Sequence, residues 1–115
     1  MVALKITPDK VAIAMAINIE DIPEIIDSKE YEVEHIPATE AFEAFLIYHG
    51  KGKHFNEIAS QLYGKSRLFG SVVILMTDGN KPIDCTKDFR GGMTRKMLIL
   101  QDASFVDLSH IKRKR

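Results

Sequence analysis

Residues 49–54 are the part of this 115-residue chain whose residue types are best suited to bind an anion. They read His-Gly-Lys-Gly-Lys-His. Glycines allow backbone N–H groups to turn toward a ligand, lysines and histidines supply positive charge, and a predicted helix begins directly afterwards. The candidate anion site therefore comprises His49, Gly50, Lys51, Gly52, Lys53 and His54. The alternative is a solvated connection with ordinary surface lysines; no Gly-x-x-x-x-Gly-Lys-Ser/Thr string of a Walker loop occurs.

A second basic, glycine-rich segment covers residues 90–96 and reads Arg-Gly-Gly-Met-Thr-Arg-Lys. We expect it to form a turn and to add Arg95 and Lys96 to the same anion site. Tyr48 and Phe55 flank the first segment and are candidates to stack on a nucleotide base. One candidate function is therefore a small protein that binds or sequesters a nucleotide or another phosphate ligand.

Nucleic-acid binding is a further and less favoured alternative. Residues 112–115 read Lys-Arg-Lys-Arg, which we interpret as a basic tail after one domain covering residues 1–111. Three basic clusters in one chain could neutralise phosphates. The isoelectric point of about 6.9, however, is well below that of a basic nucleic-acid domain. The sequence also has no RNP string, no Cys/His finger and no clean helix-turn-helix.

Catalytic and metal-binding patterns are not found in the sequence. No serine lies in a Gly-x-Ser-x-Gly elbow, and the four histidines lack the spacings of a zinc site. Cys85 has no partner for an intrachain disulfide, and a nucleophilic role would require a low thiol pKa and a nearby histidine. We therefore expect a protein that is not an enzyme and uses no cofactor or metal.

The formal net charge of zero conceals two oppositely charged parts. Residues 1–45 contain ten acidic and three basic residues, a net charge of −7, whereas residues 46–115 contain thirteen basic and six acidic residues, a net charge of +7. Such separation is typical of interaction surfaces, including those of self-association. Glu30, Glu32 and Glu34 alternate along one predicted strand, which we interpret as an acidic edge that discourages aggregation. The alternative is a patch for a cationic partner.

Hydrophobic patterning predicts an α+β fold with a mainly antiparallel sheet of five to seven strands and two short helices. The predicted strands are residues 2–7, 11–17, 31–36, 42–49, 70–76, 82–86 and 96–101. The predicted helices are residues 20–27 and 55–63. A Thr-Pro-Asp-Lys turn joins the first two strands into a hairpin.

This order of elements resembles a small uncharacterised domain family carried by bacterial phages, plasmids and conjugative elements. That family has an Asn/Asp-x-Gly-Lys loop, a Leu-Pro-x-Asn-x-x-Ala helix and a Gly-x-Val-Val-Val-x-x-x-Asp strand. The matching residues here are 50–51, 54–59, 69–73 and 78–79, within a resemblance that covers about residues 2–90. The proline before the asparagine is absent, the loop is longer and more basic, and Lys29-Glu30 stands where the family has Gly-Gly. The resemblance implies a mobile-element setting and no particular activity.

The cellular location that we expect is the cytoplasm. The longest apolar run, residues 11–17, has seven residues, whereas a membrane-spanning helix needs about 20. The start of the sequence lacks the pattern of a secretory signal, and a single cysteine suits a reducing compartment. The favoured function is a non-enzymatic interaction protein, an accessory factor of a phage or mobile element that acts on a host or phage macromolecule. Its partner would be another protein or a second copy of the chain.

Overall fold

The computed structural model describes residues 1–39, 42–50, 52–101 and 103–111, which form seven strands and three α-helices. The strands are β1 (Val2–Ile6), β2 (Val11–Ala16), β3 (Glu32–Pro37), β4 (Glu43–Tyr48), β5 (Val72–Asp78), β6 (Lys81–Ile83) and β7 (Ser104–Leu108). The helices are α1 (Ile22–Ile26), preceded by a 3₁₀ turn at Ile19–Asp21, α2 (Glu57–Tyr63) and α3 (Lys87–Gln101). The fold is α+β, as the sequence predicts.

All seven strands belong to one open sheet in the order β3-β4-β5-β1-β2-β7, with β6 paired to β5 as a hairpin. Every pairing is antiparallel except that of β7 with β2, which is parallel. The prediction of a mainly antiparallel sheet is therefore confirmed. Within the sheet, the carboxyl ends of β4 and β1 lie on either side of the start of β5.

The two faces of the sheet are covered by different helices. Leu4, Leu46 and Ile74 point to one face, where they pack with buried residues of α2 and α3. Ala3 and Val73 point to the other, where they pack with Ile22, Ile25 and Ile26 of α1. This division follows from the alternation of side chains along a strand. We call the second side the α1 face.

The third helix is absent from the sequence prediction, and the predictions of a turn at 90–96 and a strand at 96–101 are wrong. The Thr86 hydroxyl accepts a hydrogen bond from the Phe89 N–H at 3.2 Å, which caps the start of α3. Phe89, Met93 and Met97, four residues apart on one stripe, are all buried against the sheet. A Cβ on Gly92 would be 3.3 Å from the Thr39 side chain, so the helix passes close to Thr39 at this glycine. Tertiary packing therefore outweighs the low helix propensity of the glycine pair.

Among the described residues, no helix is long and apolar enough to span a membrane.

Candidate binding cavity

A cavity of about 760 Å³ lies on the α1 face, at the end of the sheet where β1 and β4 finish and β5 begins. The carboxyl end of α1 forms one wall through Ile25 and Ile26, and the β1–β2 turn contributes Pro8. Four residues of the predicted anion segment line it: His49, Gly52, Lys53 and His54. The volume lies in the range of about 300–1,000 Å³ typical of ligand pockets.

Lys5 is a cavity residue that the sequence analysis did not identify. It lies on β1 between buried Leu4 and Ile6, so the alternation of the strand turns its side chain to the α1 face. Lys5 is half-buried and makes no ion pair or side-chain hydrogen bond with another residue that the structure describes. An opposite charge supplied by a ligand would therefore meet an ammonium group that forms no ion pair with a residue in the described ranges.

The cavity is not uniformly basic, because three carboxylates also line it. Asp9 lies in the β1–β2 turn, Glu24 lies on α1, and Asp27 directly follows the last residue of α1. Asp27 adopts a left-handed conformation, with φ of 58°, and its N–H donates to carbonyls of the last helical turn. The lining thus places two lysines and two histidines in one cavity with three carboxylates.

Gly52 is required for the packing of two backbone segments at the cavity wall. A Cβ on Gly52 would lie 2.5 Å from the Gly70 nitrogen, closer than any side chain tolerates. Gly70 itself has φ of 78° and donates its N–H to the His54 carbonyl at 2.8 Å. The Gly52 position therefore serves chain packing. Gly50, with φ of 71°, is exposed and lies outside the cavity lining.

Asn56 is fully buried beside the cavity and connects β1, the segment before β5 and α2. Its Nδ2 donates to the Ile6 carbonyl at 3.0 Å and to the Gly70 carbonyl at 2.9 Å. Its Oδ1 accepts from the Ala59 N–H at 3.0 Å and so caps α2. The Ala59 N–H is therefore bonded within the chain.

The two candidate stacking residues lie elsewhere. Tyr48 packs with the core on the opposite face, where its hydroxyl is 3.3 Å from the Tyr63 hydroxyl. That hydrogen bond and burial raise the pKa of Tyr48 well above its ordinary value. The Phe55 ring is covered by the Arg67 guanidinium at 4.6 Å. Neither ring lines the cavity, so the structure does not bring the two candidate stacking residues together with Lys53 and His54 at this site.

The structure also separates the two predicted basic segments. Arg95 and Lys96 are on α3, which packs on the opposite face of the sheet. The Lys96 Nζ donates to the Ala38 carbonyl at 2.8 Å. The structure therefore does not bring Arg95 and Lys96 together with the loop residues that line the cavity. Lys51 and the basic tail at 112–115 lie outside the described residues.

Cys85 is a core residue, buried beside β5 with its Sγ 3.7 Å from the Ile74 carbonyl. Burial raises the pKa of this thiol to about 11, which disfavours the nucleophilic thiolate. Within the described ranges, no group of three or more His, Cys, Asp or Glu side chains is placed to hold a metal ion.

Comparison with known protein families, with curated proteins and with solved structures finds no match to this chain. The function is therefore inferred from the geometry of the cavity.

Proposed function

We propose that this chain is a non-enzymatic interaction protein that receives an acidic side chain of a partner protein in the cavity on the α1 face. The observation that carries the proposal is the half-buried Lys5 in the cavity lining, which has no ion pair with a described residue. Lys53 lines the same cavity and adds a second positive charge. A partner carboxylate between them would form charge-assisted hydrogen bonds.

The exposed carboxylates of Asp9 and Asp27 in the cavity favour a protein partner over a nucleic acid. A polyanion would bring phosphates toward them, and two unit charges 4 Å apart repel by about 4 kcal/mol at a protein surface. A protein surface carries charges of both signs. Its basic side chains would meet these carboxylates while an acidic side chain meets Lys5, which is the complementarity that gives protein interfaces their specificity.

Photo-crosslinking in the native host tests this proposal. A benzophenone amino acid replaces Asp9, an exposed cavity residue, and in a matched chain it replaces Asp78, an exposed aspartate at the opposite end of β5. We expect one discrete protein adduct from the first chain and not from the second. Equal adducts from the two positions would contradict the proposal.

The dependence of the adduct on Lys5 makes the test specific. Lys5→Met keeps the length of the side chain and removes its charge, and loss of a charge-assisted contact of about 1–2 kcal/mol lowers affinity roughly 5- to 30-fold. Lys65→Met removes an exposed lysine beside Tyr63 and serves as the control. An adduct that both variants reduce equally would refute a role for Lys5.

A free small anion is the second candidate, favoured by the volume of the cavity and by the lysines and histidines of its lining. A ligand that binds the folded state raises the melting temperature. We expect ADP or inorganic phosphate to raise the melting temperature of the wild-type chain but not of Lys5→Met if this candidate is correct. No shift at millimolar concentrations would reject it and leave the protein partner.

The setting that we propose is a mobile element acting in the cytoplasm. It is supported by the resemblance of residues 54–59 and 69–73 to the mobile-element domain family and by the single, unpaired Cys85. Detection of the partner in the native host tests the setting together with the function.

A further inference from the structure

The two edge strands of the sheet differ in how they are protected against pairing with another chain. β3, at one edge, carries Glu32, Glu34 and His35 and ends in Pro37. Charged side chains and proline are common devices that keep an edge strand from pairing. β7, at the other edge, reads Ser-Phe-Val-Asp-Leu and contains no proline and no lysine. The contrast marks the β7 edge as the one suited to accept another strand.

The charged residue of β7 is already engaged within its own chain. Asp107 accepts from the Arg90 guanidinium at 3.4 Å and from the Ser109 hydroxyl at 2.6 Å. Its partner in register is Ala14, whose side chain belongs to the core beneath α2 and α3. The carboxylate is thus directed toward α3, and no other ionisable side chain lies between Ser104 and Leu108.

On the α1 face, β7 presents apolar side chains to solvent. Val106 and Leu108 are each 40% exposed, and they lie beside Ile13 and Met15 of β2 in register. The helix α1 packs on Ala3, Ile47 and Val73, in the middle of the sheet, and Met15 packs at the border of that cluster. Val106 and Leu108 do not belong to the cluster and stay exposed. Among the described residues, β7 pairs with β2 alone, which leaves its outer backbone groups without a ladder partner.

We propose that a second copy of this chain pairs antiparallel with β7 about a two-fold axis at Val106. In that register, Val106 faces its own symmetry mate, Ser104 faces Leu108, and Phe105 faces Asp107, so no like charges oppose each other. The five-residue strand would add a backbone ladder about 16 Å long, and the two apolar strips would become continuous. A two-fold contact closes on itself, whereas addition of β7 to the acidic β3 edge would be heterologous and open-ended.

This proposal goes beyond the proposed function because it uses a different surface. None of the β7 residues lines the cavity that contains Lys5. The interface is small, and small interfaces form weak complexes. We therefore expect a monomer at low micromolar concentration and a dimer at concentrations of several hundred micromolar.

Sedimentation velocity from about 5 to 500 µM tests the dimer. The average mass of the wild-type chain should rise from 13.0 kDa toward about twice that value. Val106→Lys places two ammonium groups opposite each other and should abolish the rise. Val33→Lys is the matched control, since Val33 is a 51% exposed valine on the α1 face of the β3 edge, and it should leave the rise unchanged. A wild-type monomer at every concentration, or equal effects of the two variants, would overturn the proposal.

Disulfide trapping gives a second readout that does not depend on how Val106→Lys folds. Facing residues of an antiparallel pair have Cβ atoms about 4.5–5.5 Å apart, close enough for a disulfide after small adjustment. Val106→Cys should form a covalent dimer at least ten times faster than Val33→Cys under the same oxidant, while the buried Cys85 does not compete. Equal trapping rates would contradict the two-fold register. The crosslinking test of the Lys5 cavity is a separate experiment, so the dimer can fail while the proposed function stands, and the reverse.

Discussion

Replacing the buried Asn56 should destabilise the fold strongly. The Asn56 side chain makes three hydrogen bonds to backbone groups of β1, of the segment before β5 and of α2. Asn56→Ala would leave the carbonyls of Ile6 and Gly70 and the N–H of Ala59 without this partner. Each such bond contributes about 1 kcal/mol net, and buried groups left unpaired cost about 1–3 kcal/mol each. The expected loss is about 3–5 kcal/mol of the free energy of unfolding.

A graded series separates the cap from the two carbonyl contacts. Asn56→Ser keeps a side-chain acceptor for the first turn of α2 but is too short to reach both carbonyls. Since an N-cap contributes about 1 kcal/mol, the serine variant should recover roughly that much relative to alanine.

Urea unfolding, followed by circular dichroism, measures these free energies. Asn80→Ala is the control, because Asn80 is exposed in the turn between β5 and β6 and should change stability by less than about 0.5 kcal/mol. A loss below about 1 kcal/mol for Asn56→Ala, or equal losses for the alanine variants at positions 56 and 80, would refute the assignment of Asn56 as the residue that holds these elements together.

Three further predictions concern the glycine contact, the thiol and the edge strand. Gly52→Ala should lower the urea midpoint more than Gly50→Ala, because a Cβ at Gly52 collides with backbone, whereas a Cβ at Gly50 meets open space and adds only the strain of its φ of 71°; equal effects would contradict the collision. Cys85 should react with a thiol reagent at pH 8 only on unfolding, because burial raises its pKa to about 11; rapid labelling of the native chain would contradict this. Hydrogen bonds from Ser109 hold the pKa of Asp107 below its usual 3.8, so its stabilising effect is present at neutral pH and is lost as pH falls through the folded-state pKa. Asp107→Asn should therefore lower the urea midpoint at pH 7 and have a smaller effect near pH 2. An effect independent of pH would contradict a stabilising role of the ionised Asp107 carboxylate.

Much of the fold can be predicted from local sequence patterns. The Thr-Pro-Asp-Lys turn and the flanking apolar runs correctly indicate the β1–β2 hairpin, and the spacing of Ile58, Ala59 and Leu62 correctly indicates α2. These patterns are reliable because the apolar residues whose spacing indicates a strand or a helix are also the residues that form its buried face.

The error at α3 has a physical cause. Residues 96–101 read as a strand because they are locally apolar, and the Gly91–Gly92 pair argues against a helix. The contrary signals were Thr86 as a cap, Asp88 in the first turn, and the spacing of Phe89 and Met93. Burial against the sheet, a tertiary effect, decides between them.

The composition of the cavity depends on long-range strand pairing. Lys5 and His49 are brought to one cavity because β1 and β4 both pair with β5, and Asn56 bonds to a carbonyl fifty residues earlier. No local pattern marks Lys5, since a single lysine in a short strand is common at a sheet surface. The sequence could therefore indicate the loop residues of the cavity, such as Lys53 and His54, but not Lys5.

The most direct test of the proposed binding cavity is the yield of the protein adduct formed from a photo-crosslinker at Asp9, compared between the wild-type chain and Lys5→Met. The proposed function predicts that the yield falls roughly 5- to 30-fold in Lys5→Met, at subsaturating partner concentration, and stays unchanged in Lys65→Met. An adduct whose yield is the same with and without the Lys5 ammonium group would contradict it.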